Sequence, residues 1–222
     1  FSLVLFNDIV WWLPFALFLL DGTRLGERLR GAAGPACGAL NALAVLAIAF
    51  LLKPGTEVVP DPVARMNYIA AHPYLWRTGW GLWIVAAISL LAFYAWWGAH
   101  LPRTAWALTG LFIATCGAAC DLLAESLFIG WLPERMEEIQ RLGTILTGAA
   151  ANGLYTLAGV LLTTMTASLR GPFRILTWTV WAAGCALTAT ALAATATGMA
   201  VATAVLMAMF CPWAWLMGRR LM

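Results

Sequence analysis

The sequence predicts an all-α bundle of about seven membrane-spanning helices. Three observations carry that prediction: an apolar surplus too large for an aqueous globule, a scarcity of charge, and apolar stretches each about one bilayer crossing long. A soluble chain has about half of its residues apolar and roughly a quarter charged; in these 222 residues the shares are 63% and 10%. One or two soluble domains of this length have no interior able to hide the excess, so lipid is the solvent for most of the surface. Thirteen Lys plus Arg against ten Asp plus Glu leave a net charge of +3. Charges that few and that scattered exclude a nucleic-acid partner.

A crossing helix needs about 20 mostly apolar residues at 1.5 Å each to traverse roughly 30 Å of hydrocarbon. Seven stretches qualify: 2–20, 34–52, 79–99, 105–130, 143–168, 175–195 and 199–217. The chain begins at Phe1 rather than Met, and Ser2 to Leu20 lacks a small-residue cleavage pattern, so 2–20 reads as a span and not as a signal peptide. Residues 175 to 217 carry no charge and are twice one crossing in length. They are divided only by Thr195-Ala196-Thr197-Gly198, which places a tight hairpin at Gly198. The Ala/Thr-rich run 182–204 lets the last two spans approach closely.

Orientation follows from Lys and Arg, which stay on the cytoplasmic side during insertion. With the N-terminus outside, eight fall inside (Arg24, Arg28, Arg30, Arg103, Arg170, Arg174, Arg219, Arg220) and five outside (Lys53, Arg65, Arg77, Arg135, Arg141). The expected topology is therefore N-terminus out and C-terminus cytoplasmic, in a plasma or bacterial inner membrane. Tryptophan prefers the headgroup level, so Trp76, Trp80 and Trp131 are expected as outer anchors, and Trp96, Trp97, Trp106, Trp213 and Trp215 as inner ones. Two helices are expected to lie along the outer surface. In 61–72, Asp61-Pro62 caps the start, Val63, Met66, Ile69 and Ala70 form an apolar face, and His72-Pro73 stops it. In 133–142, Pro133 opens a turn with Met136 and Ile139 on one side.

An ionisable group inside the bilayer costs several kcal/mol and is a functional hypothesis by default. Asp8, Asp121 and Glu125 qualify. Asp121 and Glu125, four apart, share a face of the fourth span with Gly110, Ala114, Gly117 and Ala118. In the fifth span Gly148, Asn152, Tyr155 and Gly159 form one stripe, and antiparallel packing of the two stripes is expected. Depth counting puts Asp8, Asp121, Glu125, Asn152 and Tyr155 in the outer half, where they can converge on one cavity. Asn7 lies beside Asp8, and Arg77 at the outer start of the third span is the candidate counter-ion. Close carboxylates repel one another, which suits proton or cation exchange. Membrane helices also bury Asp or Asn merely to lock packing. Pro14 kinks the first span just beyond Trp11 and Trp12, and those two indoles read as a mid-depth wall.

No cofactor is implied. A retinal Schiff base needs a lysine within a helix, and the single lysine, Lys53, ends the second span. Haem wants paired mid-membrane histidines, whereas His72 and His100 lie at opposite surfaces. Met199, Met207, Met209 and Met217 form no single stripe for a soft metal. The five cysteines Cys37, Cys116, Cys120, Cys185 and Cys211 contain no C-x-x-C and read as small hydrophobes. No G-x-S-x-G, H-E-x-x-H or phosphate-cradling loop occurs, so no catalytic residue is assigned. Three functions remain: an outward-facing polar cavity that binds or passes a small cation, proton or organic solute; an accessory subunit among other membrane subunits; and a membrane enzyme on a lipid-like substrate with Glu125 or Asp121 as acid/base.

Overall fold

In hydrocarbon no water satisfies a backbone N–H or C=O, so an apolar chain must close its hydrogen bonds locally, as helices. The computed structural model describes residues 24–102, 104–130 and 136–220, with side chains from residue 31 in the first stretch and from 138 in the last. The predicted span 2–20, with Asn7, Asp8, Trp11, Trp12 and Pro14, lies outside the described residues, as does Trp131.

Helix α1 (Arg24–Ala47) runs on through a π-helical turn, Ile48–Leu52, and a 3-10 turn, Lys53–Gly55. Then follow α2 (Pro62–Ala71), α3 (Pro73–Ala99) and α4 (Ala105–Gly130). Helix α5 (Met136–Thr144) passes through a second π-helical segment, Ile145–Ala151, directly into α6 (Asn152–Met165). Helices α7 (Gly171–Leu192) and α8 (Ala196–Arg220) follow, and no strand occurs among the described residues. Six stretches are long and apolar enough to cross a membrane: Gly31–Gly55, Pro73–Ala99, Ala105–Gly130, Glu138–Met165, Gly171–Leu192 and Ala196–Arg220. The protein is an all-α, multi-pass integral membrane protein.

The spans form a closed ring in chain order. Helix α1 packs on α3, α3 on α4, α4 on α6, α6 on α7, α7 on α8, and α8 returns to α1. That closing contact is made backbone to backbone. A Cβ on Gly34 would lie 2.5 Å from Gly218 Cα and 2.6 Å from Ala214 O, and one on Gly38 would lie 2.5 Å from Cys211 O. Gly34-Pro-Ala-Cys-Gly38 is a G-x-x-x-G sequence, the pattern that lets two membrane helices touch. The α7–α8 turn comes three residues before Gly198. Ala194 takes a left-handed φ of 51°, and the N–H of Thr195 donates to Thr190 O at 3.2 Å, a Schellman-type closure. Gly198 instead sits inside α8, where a Cβ would meet Thr195 Oγ1 at 2.5 Å and Thr190 Cγ2 at 3.2 Å.

Helix α2 forms at the predicted place, with the Val63 N–H donating to Asp61 Oδ1 at 2.9 Å, but it rests on a different face. Ile69 is 2% exposed and Arg65 is buried, while Val63 is 62% exposed and Met66 also faces out. The packed side is the 65, 68, 69 face, because Tyr68 is tied down by its hydroxyl donating to Leu51 O at 2.5 Å. The stretch expected as a separate surface helix at 133–142 is, from Met136 on, the continuous start of the span Glu138–Met165. Ile139 and Gln140 there are buried, so packing carries the helix straight into the membrane. Helix α2, Lys53 and α5 mark the upper end of the ring; Arg170, Arg174, Arg219 and Arg220 mark the lower end.

The lower half of the ring is plugged by aromatic rings. Trp213 stands 5.0 Å from Trp181, 5.7 Å from Trp97 and 5.6 Å from Phe93, centroid to centroid. Each indole N–H donates to a threonine hydroxyl: Trp97 to Thr166 at 3.0 Å, Trp181 to Thr163 at 2.8 Å, and Trp213 to Thr177 at 2.9 Å. Expected as interface anchors, Trp76, Trp80, Trp96, Trp97 and Trp213 are core residues, all under 9% exposed. A ring of six helices has a wide centre to fill, and an indole whose N–H is satisfied fills it well. Trp106 and Trp215 are exposed, as anchors should be.

Candidate functional site

Above the plug the centre of the ring is open. A cavity of about 500 Å³ extends from Tyr94, Trp181 and Phe210 at its floor to Lys53, Glu57 and Gln140 at the upper end. Its walls are chiefly apolar and aromatic, and both π-helical segments contribute to them through Ile48, Thr147 and Gly148. A π segment widens the helix and turns its faces relative to an α-helix, a feature frequent at functional sites.

Asp121 on α4 lines the cavity and is 7% exposed. The Thr147 hydroxyl donates to its Oδ1, and among the described residues no hydrogen bond reaches Oδ2. Tyr155 also lines the wall. Its hydroxyl has no partner among the described residues, it lies within electrostatic range of Asp121 and Glu125, and its carbonyl accepts from the Tyr94 hydroxyl at 2.7 Å. Glu125, one turn above Asp121, is 1% exposed, and neither carboxyl oxygen finds a partner among the described residues. It stands behind the wall rather than on the cavity surface.

The predicted packing of two stripes holds only in part. The α4 stripe does meet α6: a Cβ on Gly117 would lie 3.1 Å from Tyr155, and one on Gly110 3.1 Å from Leu162. But Gly148 and Gly159 face α7, against Ala191 and Trp181. Asn152 does the same, its amide donating to Gly184 O at 2.7 Å and Thr188 Oγ1 at 2.8 Å. A helix in a ring has two neighbours, so its small residues split between two faces, 148/152/159 and 151/155/158. Asn152 touches the cavity, but its amide is committed to joining α6 and α7. Arg77 is on the exposed surface of α3 and does not line the cavity. Asn7 and Asp8 lie outside the described residues.

Sequence reasoning missed Thr147, Asn41 and Trp83, and took Trp80 for an interface anchor; all four are on the cavity wall. Asn41 was legible as a lone amide inside an apolar span; its Nδ2 donates to Cys37 O at 2.9 Å. Thr147 was not legible, because its reach to Asp121 depends on the π segment. At the mouth Thr144 donates to Glu57 Oε2 at 3.3 Å, and Arg65 Nη1 donates to the Gln140 side-chain oxygen. Burial raises the Glu57 carboxyl above its ordinary range, outweighing the Thr144 hydrogen bond and the nearby Arg65 charge, both of which lower it. The cysteines Cys37, Cys116, Cys120, Cys185 and Cys211 are free. Among the described residues no three His, Cys, Asp or Glu side chains are placed to hold a metal.

A buried polar group without partners costs about 1–3 kcal/mol. Glu125→Met fills a similar volume and removes both orphaned oxygens, so it is expected to stabilise the folded bundle by about 1–3 kcal/mol. Detergent-unfolding titrations of the purified variants read this directly; equal or lower stability would show that the carboxyl is satisfied in the folded protein. No family model matches the chain, and no curated protein or solved structure matches it either, so its function is argued from the chamber itself.

Proposed function

We propose that this membrane protein binds or passes a small cation or small organic solute through the chamber above the aromatic plug, with the upper end facing away from the cytoplasm. One observation carries the reading: a cavity of about 500 Å³ whose apolar wall includes a carboxylate that is nine-tenths buried. Ligand sites are commonly clefts of about 300–1,000 Å³, mostly apolar, with a few placed polar groups. An aspartate that only locked helices together needs no chamber beside it. Arg170, Arg174, Arg219 and Arg220 at the lower end support a cytoplasmic lower face. Asp121 is the charge-bearing group and Tyr155 the free hydroxyl. Asn152 holds the wall together, and Glu125 is the second carboxyl behind it.

Thr203, on the α8 wall, provides the test. In a background with the five native cysteines replaced, Thr203→Cys is expected to react with a membrane-impermeant thiosulfonate added outside intact cells. Adding Ala204→Trp, which fills the same wall, should slow labelling at least about tenfold. Labelling only in inverted vesicles would reverse the orientation. Labelling from neither side, or at a rate indifferent to Ala204→Trp, would overturn the chamber.

A further inference from the structure

We infer that the chamber's ligand is an organic ammonium ion with an apolar body, seated against Asp121 and the aromatic side chains of Trp80, Trp83, Tyr94 and Tyr155 that line the wall. The inference rests on the chamber being a ligand site, and it names the chemistry that site accepts.

Charge sets the sign. Lys53, Glu57 and Asp121 are the ionic side chains among the lining residues. The first two belong to the mouth, beside the 3-10 turn that ends the first span. Among the described residues the interior therefore carries one formal charge, and it is negative. A carboxylate there is costly unless an opposite charge comes close, and Arg77, the candidate for that part, stands outside the cavity. The opposite charge must then arrive with the ligand. An anionic ligand would meet like charge in a low-dielectric space.

The walls set the body of the ligand. A hard cation such as Ca2+ or Mg2+ wants about six or more oxygen donors, and among the described residues no three His, Cys, Asp or Glu side chains are placed to hold a softer metal. Near Asp121, however, the Thr147 hydroxyl already donates to the carboxylate, and the Asn152 amide is spent on α7. What the walls supply instead is aromatic surface. The negative faces of Trp and Tyr rings attract a cation that has shed its water, most strongly when it is a weakly hydrated quaternary ammonium. Tyr94 and Tyr155 present near-parallel rings, 6.1 Å between centroids with a 12° interplanar angle. The volume, far beyond that of a single ion, is available for carbon.

The probes are phenyltrimethylammonium and its uncharged isostere tert-butylbenzene, with benzenesulfonate as the anion. Binding to the full chain in nanodiscs is read by quenching of tryptophan emission, with protein-free nanodiscs as blank. The cation is expected to bind at least about tenfold more tightly than the isostere, the scale of a desolvated cation–π and charge contact. Asp121→Asn should bring that ratio close to one, and Asp121→Glu should keep it. If Asp121→Asn does not fold, the wild-type ratio decides alone. Equal binding of cation and isostere, or tighter binding of benzenesulfonate, overturns the cation assignment and leaves the chamber standing. Binding of none of the three overturns the assignment, and Thr203 labelling then tells whether the chamber falls with it.

Discussion

Trp213→Ala is expected to cost the folded bundle about 3–5 kcal/mol, the range for deleting a fully buried indole. Trp213 is 0% exposed and sits at the meeting point of α3, α7 and α8, with Phe93, Trp97, Trp181 and Phe210 around it. Lipid tails are as apolar as the plug, so water exclusion contributes little here and the loss is one of van der Waals contact. Alanine leaves a void lined by rigid rings that cannot collapse inward. Thr177→Val keeps the volume and removes only the acceptor of the Trp213 N–H, at an expected cost of about 1–3 kcal/mol. Unfolding of the purified variants in a harsh-detergent titration measures both. A Trp213→Ala loss below about 1 kcal/mol would mean that the plug is not what holds the lower half together.

Gly38→Leu is expected to cost about 3 kcal/mol or more, the upper end of overpacking effects. A leucine Cβ at this position would stand 2.5 Å from the Cys211 carbonyl. A carbonyl belonging to a helix cannot swing aside as a side-chain end can, so α1 and α8 must separate and the ring opens. The same change at Gly81, where a Cβ meets nothing within 4 Å, provides the control. There leucine replaces a poor helix former and should be neutral or stabilising by up to about 1 kcal/mol. Equal effects at Gly38 and Gly81 would rule out a tight α1–α8 seam.

Much of the fold was legible because hydrocarbon leaves the chain few choices. Six of the predicted spans coincide with described helices to within a few residues at most ends, since length and apolarity alone define a crossing. What the sequence could not show was which face of each helix turns inward. The interface preference of tryptophan is an average, and it misled at Trp97 and Trp213, where Thr166 just past the end of α6 and Thr177 on α7 satisfy the indoles inside the bundle. Asp121 and Glu125 were singled out by the cost of burying charge, and both are buried on α4. Their partners were not singled out, because Thr147 lies in the π-helical segment Ile145–Ala151, where the α-helical counting of faces does not apply. The G-x-x-x-G at Gly34 and Gly38 was present to be read, but its partner surface, Cys211 to Gly218, lies more than 170 positions away in the chain.

Because the ring is sealed by α8 against α1, the chamber has no wall on that side until α8 is in place. Until α8, 25 residues long, leaves the ribosome and inserts, Trp181 and Trp97 lack the ring that covers them. A chain truncated before α8 is thus an open arc, with the aromatic surface of Trp97 and Trp181 left uncovered. The chamber is whole only once α8 has closed on α1.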